Sequence, residues 1–176
     1  MGCAGDCRVY TKALRDKSTS RDRGSYAVII TLLWISIALD FALSAVVRTA
    51  AIRWERTPLF YWGIALMLAG LAFRFYAMAT LGKFFTYNVA IQSGQTLIED
   101  GPYRYIRHPS YTGAIIVLIG FGLALGNWAG LLALLGVMAL AYAYRISVEE
   151  TALVRALGDR YKQYMTRTQR LIPFLF

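Results

Sequence analysis

Residues 111–144 read YTGAIIVLIGFGLALGNWAGLLALLGVMALAYAY, without one charged side chain. Asn127 alone separates two apolar runs, Tyr111 to Gly126 and Trp128 to Tyr144. A connection that short joins antiparallel helices in a tight hairpin. Each run of about 16–17 residues is roughly 25 Å long at 1.5 Å per residue, which barely crosses a hydrocarbon core of about 30 Å. Gly113, Gly120, Gly122, Gly126, Gly130 and Gly136 would let the helices approach closely.

Two more apolar runs lie toward the N-terminus. Tyr26 to Val47 carries one charge, Asp40, and is long enough to span a bilayer. Leu59 to Ala79 is a second span, with Pro58 suited to its first turn and Arg74 near its end. Between them, Arg48 to Arg56 is a short basic loop bearing Trp54. Asp40 receives no role from the sequence, and Arg74 reads as a residue that snorkels to the interface. Residues 1–24 form a polar, basic arm, too long and charged for a standard cleaved signal peptide. Residues 25–176 read as a single membrane domain. The expected fold is all-α and integral to the membrane, with about four transmembrane helices including the hairpin.

Composition agrees. The chain of 176 residues is 57% hydrophobic and only 16% charged, with mean hydropathy +0.46. Soluble domains carry about 45–50% apolar and about 25% charged residues. The net charge of +9 is segregated: six of the 19 basic residues precede Gly24, and six lie from Arg145 onward. Charges that flank apolar spans mark the cytosolic side and contact anionic lipid, and no nucleic-acid reader motif is present. With the N-terminus inside, inner segments carry six, three (Lys83, Arg104, Arg107) and six basic residues, against three (Arg48, Arg53, Arg56) and none outside. Both termini are therefore expected in the cytosol. Cys3 and Cys7, with one histidine in the chain, complete no paired zinc motif.

Two polar segments flank the hairpin. Leu81 to Arg107 is aromatic and rich in β-formers, which predicts extended pieces and tight turns at the cytosolic interface. From Arg145 the chain turns amphipathic: Ile146, Val148, Leu153, Leu157 and Tyr161 recur near helical spacing, predicting a cytosolic helix that continues the fourth span and ends before Pro173. On the charge count these two segments share one side and can meet. His108-Pro109 opens the third span, where first-turn N–H groups can bind an anion. Arg145 and Glu149 stand four apart on one helical face, with Glu150 beside them. As a surface ion pair they would contribute under about 1 kcal/mol. At the inner mouth of a span they could instead bind a carboxylate and a cation. Tyr103, Tyr105 and Tyr111 in isolation would be aromatic-belt residues.

Taken in order, several motifs form a pattern: Leu81-Gly82-Lys83-Phe84-Phe85-Thr86, Gln95-Thr96-Leu97-Ile98, Gly101-Pro102-Tyr103, and Arg107-His108-Pro109-Ser110-Tyr111-Thr112-Gly113. The hairpin follows, then Arg145-x-x-x-Glu149-Glu150, then Gly158-Asp159-Arg160-Tyr161-x-x-Tyr164. Over roughly residues 58–176 this resembles the isoprenylcysteine carboxyl methyltransferase family of integral membrane enzymes. The resemblance implies methyl transfer from S-adenosylmethionine to a lipid-borne acceptor at the cytosolic face, most simply a prenylated cysteine carboxylate. It implies a cofactor-binding part drawn from residues 81–113 and 145–165. Gln95, Thr96, Leu97, Ile98 and Tyr103 would line the cofactor site, with His108, Pro109, Ser110 and Tyr111 beyond them. Gln92 matches an upstream glutamine contact. At position 95 relatives usually carry His, and Gln can likewise donate and accept. Glu149 would contact the cofactor and Arg145 would face the acceptor carboxylate. A phospholipid amine acceptor, or a non-enzymatic membrane protein that binds lipid or a partner, are the competing readings. Oligomeric state and natural acceptor stay open.

Overall fold

The computed structural model describes residues 26–53, 55–82 and 97–172. The expected site residues Gln92, Gln95 and Thr96, and most of the predicted extended segment, lie outside them. In chain order the elements are α1 (Tyr26–Val46), a 3-10 turn (Arg48–Ala50), α2 (Arg56–Leu81), a second 3-10 turn (Gly101–Arg104), α3 (Pro109–Leu125), α4 (Trp128–Leu157) and α5 (Asp159–Arg167). Helices α1, α2 and α4, of 21, 26 and 30 residues, are long and apolar enough to cross a membrane. Helix α3 is apolar but shorter, at 17 residues. Trp34 and Phe41 of α1, Trp62 and Phe75 of α2, and Leu132 and Leu140 of α4 are exposed. Apolar side chains in such number on the outside match a lipid surround and not water. The protein is an integral membrane protein.

Both ends of α3 are fixed by sequence. Pro109 occupies its first position, where a missing N–H costs nothing, and His108 is the preceding cap. Gly126 ends it in the left-handed conformation, φ 70°, which glycine adopts without steric penalty. Asn127 then caps α4: its Oδ1 accepts from the N–H groups of Ala129 at 2.9 Å and Gly130 at 3.2 Å. Its Nδ2 donates to the Val47 carbonyl at 2.9 Å, and the Ile52 N–H donates to the Gly126 carbonyl at 2.8 Å. The α1–α2 and α3–α4 connections are thereby stitched together at one end of the bundle. The chemistry-bearing residues gather at the other.

Two of the hairpin glycines, Gly113 and Gly120, serve α2 instead of the hairpin partner. A Cβ on Gly120 would lie 2.5 Å from the Gly63 carbonyl oxygen, and one on Gly113 would lie 2.8 Å from that of Gly70. Two pairs seven residues apart, running in opposite directions, make α2 and α3 antiparallel with backbones in contact. Of the remaining glycines, Gly122 faces Leu131 of α4, Gly130 faces Asp40 of α1, and Gly136 faces nothing within 4 Å. The α3–α4 contact is mostly made by side chains: Ala114, Leu118, Leu134, Met138, Ala141, Tyr142 and Ile146 form the buried core. Ile29, Leu32, Leu33 and Ile37 of α1 pack against it.

The C-terminal part also departs from expectation. α4 does continue past Arg145, as expected, to Leu157, but Gly158, at φ 59°, breaks the helix before α5 begins. Beyond α5 the chain runs alongside residues 105–108: Gln169 N–H donates to the Tyr105 carbonyl at 3.0 Å, and Arg107 N–H donates to the Gln169 carbonyl at 2.7 Å. One predicted helix is therefore two helices and an extended return. Gly101-Pro102, expected as a tight turn, begins a single 3-10 turn.

Candidate active site

Two neighbouring glutamates on α4 organise the site. Consecutive helical residues point about 100° apart, so Glu149 and Glu150 meet different partners. The Glu149 Oε1 accepts from the Tyr111 hydroxyl at 2.6 Å and from Arg145 Nε at 2.8 Å. The Glu150 Oε1 accepts from Arg107 Nε at 2.9 Å, and its Oε2 accepts from Arg170 Nε at 3.2 Å. His108 sits between them, with Nδ1 3.6 Å from Glu149 Oε2 and Nε2 3.4 Å from Glu150 Oε1. The first-turn amides at the start of α3 are less open than the sequence suggested, because the Tyr111 and Thr112 N–H groups both donate to the His108 carbonyl.

The extended return buttresses this cluster. Arg107 Nη1 donates to the Met165 carbonyl at 3.0 Å and to the Thr168 carbonyl. The Thr112 hydroxyl donates to the Leu171 carbonyl at 2.6 Å, and the Tyr164 hydroxyl donates to the Tyr103 carbonyl at 2.6 Å. Glu99, just before the second 3-10 turn, pairs with Arg167 of α5 at 2.7 Å. Burial raises the phenols of Tyr103, Tyr161 and Tyr164 well above the ordinary tyrosine range, and nearby charges and phenols modify each. For Tyr103 these are Tyr164 and Glu149, which raise it further. All three therefore stay protonated, and Tyr164 acts as a neutral donor to the Tyr103 carbonyl. Tyr164→Phe would leave the Tyr103 carbonyl without its buried donor. The expected cost is about 1–2 kcal/mol, read as a lowered midpoint of thermal unfolding in detergent.

The structure brings together most of the expected site. His108, Pro109, Ser110, Tyr111, Arg145 and Glu149 converge, and Tyr103 lies against the same cluster. Leu97 and Ile98 are half-buried on the approach to the second 3-10 turn. Arg145 is only 2% exposed, whereas the Glu149 side chain is 20% exposed. The open group is thus the carboxylate, and its guanidinium partner forms the floor. Arg107 and Glu150, which the sequence names only within motifs, and Arg170, which it does not name, receive no site role from sequence. Adjacency of Arg107 to His108 and of Glu150 to Glu149 was the available signal. Two features fit S-adenosylmethionine. The partly open Glu149 carboxylate among phenols suits its cationic centre, and the buried His108 Nε2, which makes no hydrogen bond, suits a polar contact.

The isoprenylcysteine carboxyl methyltransferase (ICMT) family model matches residues 63–155, which include His108, Arg145 and Glu149. A protein-S-isoprenylcysteine O-methyltransferase of Schizosaccharomyces pombe is 34% identical over 114 residues, 64% of this chain and 48% of that protein. Protein-S-isoprenylcysteine O-methyltransferase B of Arabidopsis thaliana is 31% identical over 115 residues, 64% of this chain and 58% of its own. The solved structure of a eukaryotic intramembrane Ras methyltransferase, ICMT, superposes with a TM-score of 0.65 at 27% identity, over 85% of this chain and 52% of that one. The chain spans about half to three fifths of the length of these relatives. With the glycine-paired helices, the capped hairpin and the glutamate cluster all inside or beside the matched region, this chain belongs to the isoprenylcysteine carboxyl methyltransferase family.

Proposed function

We propose that this protein transfers a methyl group from S-adenosylmethionine to the carboxylate of an isoprenylcysteine-type lipid acceptor, at the cytosolic face of the membrane. The observation that carries the reading is the Glu149 carboxylate, held by Tyr111 and Arg145 and left partly open at the end of the bundle where α3 begins. The names of the relatives support the same chemistry.

S-Adenosylmethionine, when bound, supplies an activated methyl and its own leaving group. The chain's residues have the tasks of binding, aligning and excluding water. An acceptor carboxylate is already ionised at neutral pH, so no general base is required. Glu149, oriented by the Tyr111 hydroxyl and the Arg145 guanidinium, faces the cationic part of the cofactor. His108, with Nε2 still able to make a hydrogen bond, takes a polar group of it. Leu97, Ile98, Tyr103, Pro109 and Ser110 line the space between; Gln92, Gln95 and Thr96, further cofactor contacts on the family resemblance, lie outside the described residues. Arg145 meets the acceptor carboxylate from the floor of the site. The Arg145–Glu149 pair is electrically neutral, so it orients an anion more than it attracts one. The prenyl tail enters sideways from the bilayer.

Calorimetry on detergent-solubilised protein tests the cofactor part. Wild type is expected to bind S-adenosylmethionine, and Glu149→Ala is expected to bind at least about tenfold more weakly, the effect of losing one charge-assisted contact. A wild type that shows no binding would sink the enzyme reading.

A further inference from the structure

Arg74 has no part in the site described so far. It stands on α2 with Gly70 and Ala77, at the i, i+4, i+7 spacing of one helical face. That face is buried: Gly70 and Ala77 are both buried against neighbours, while Phe75 and Tyr76 are exposed toward lipid. A Cβ on Gly113 of α3 would lie 2.9 Å from the Arg74 Cβ, so the arginine side chain leaves its helix at the α2–α3 seam. Its Nη1 reaches the Ser110 carbonyl at 3.4 Å, a long contact that satisfies little of its donor capacity. It is half-buried, and no carboxylate pairs with it among the described residues.

Snorkelling accounts poorly for this placement, because the side chain lies against α3 and not along the lipid surface. A half-buried arginine within an apolar bundle is costly and marks a place where an anion is received. The neighbouring cations have their anions: Arg145 has Glu149, and Arg107 and Arg170 share Glu150. Arg74 contributes uncompensated charge, and Ser110, which it touches, immediately precedes the Tyr111 that holds Glu149.

We propose that Arg74, at the Ser110 end of the α2–α3 seam, docks the acceptor's carboxylate through the same oxygen that Arg145 meets from the floor, so that the other oxygen is left for methylation. This rests on the carboxyl-methylation reading above and names the residue that selects for the free acid. A guanidinium offers two parallel N–H groups, so lysine replaces it only partly.

The test uses full-length protein in detergent, with N-acetyl-S-farnesylcysteine and its methyl ester as probes. Wild type is expected to bind the acid at least about tenfold more tightly than the ester, as one charge-assisted contact implies. Arg74→Gln is expected to abolish that preference and raise KM for the acid about 10- to 100-fold, with S-adenosylmethionine affinity unchanged and Arg74→Lys intermediate. Equal binding of acid and ester by wild type would overturn the inference, as would an acid preference that survives Arg74→Gln. Loss of acid and ester binding together would also overturn it, as a packing defect. If wild type prefers the acid through Arg74 yet methylates nothing, docking stands and the methyl-transfer reading falls.

Discussion

Glu149→Gln is expected to reduce methyl transfer by at least about 100-fold while the bundle stays folded. Removing one preorganised electrostatic contact at a reacting centre typically costs this much. The substitution keeps shape and removes charge. An amide oxygen can still accept from the Tyr111 hydroxyl and from Arg145 Nε, which now lie 2.6 Å and 2.8 Å from the carboxylate. What disappears is the negative charge that is proposed to face the cationic cofactor and that offsets the buried Arg145. Breaking a fully buried ion pair costs about 3–5 kcal/mol. Here the Glu149 side chain is 20% exposed, which argues for a smaller figure, about 2–3 kcal/mol. Turnover, calorimetric affinity and thermal midpoint, measured on one preparation, separate the two effects. Glu150→Gln is the contrast. Its carboxylate meets Arg107 and Arg170 instead, so stability should fall more than cofactor affinity. Turnover of Glu149→Gln within a few-fold of wild type would remove Glu149 from the site.

Gly120→Val is expected to be the most damaging single substitution in the helices themselves. The new Cβ would stand 2.5 Å from the Gly63 carbonyl oxygen and 2.8 Å from the Met67 backbone nitrogen. Two of the obstacles are backbone atoms, so no rotamer change relieves them, and α2 and α3 must separate. Overpacking costs about 1–3 kcal/mol, and more where backbones clash. The damage should reach the site, because Arg74 and Ser110 lie along the same seam. Gly136→Ala is the matched control, with nothing within 4 Å of the added methyl. It should be neutral or stabilising by about 0.5–1 kcal/mol, since glycine inside a helix costs that relative to alanine. Thermal unfolding of both variants in one detergent checks the contrast. Equal midpoints would mean that the α2–α3 contact is not close.

Much of this was legible in the sequence because it is local. Asn127 between two uncharged runs specifies a hairpin, and it does so by capping α4 with its own side chain. His108-Pro109 marks the start of α3 because proline fits only there. Arg145 and Glu149 pair because four residues of helix bring them together. Partner choice between distant segments was not legible. Gly113 and Gly120 signal close approach, but only the matching interval between Gly63 and Gly70 reveals that α2 is the partner. Gly158 ends α4 through its positive φ, which one glycine among 15 does not announce. The ties from Arg107 and Arg170 to Glu150 span 43 and 20 residues, and nothing in local spacing foretells them. Arg74 looked like an interface residue because its neighbours in sequence face lipid, while its own side chain faces α3.

On the proposed function, the glutamate cluster at the start of α3 serves carboxyl methylation. The most direct measurement incubates purified protein with methyl-labelled S-adenosylmethionine, N-acetyl-S-farnesylcysteine and phosphatidylethanolamine together, then follows the label. Label is expected in a base-labile methyl ester of the farnesylcysteine, dependent on Glu149. Label in the phospholipid amine, or in neither acceptor, would contradict it.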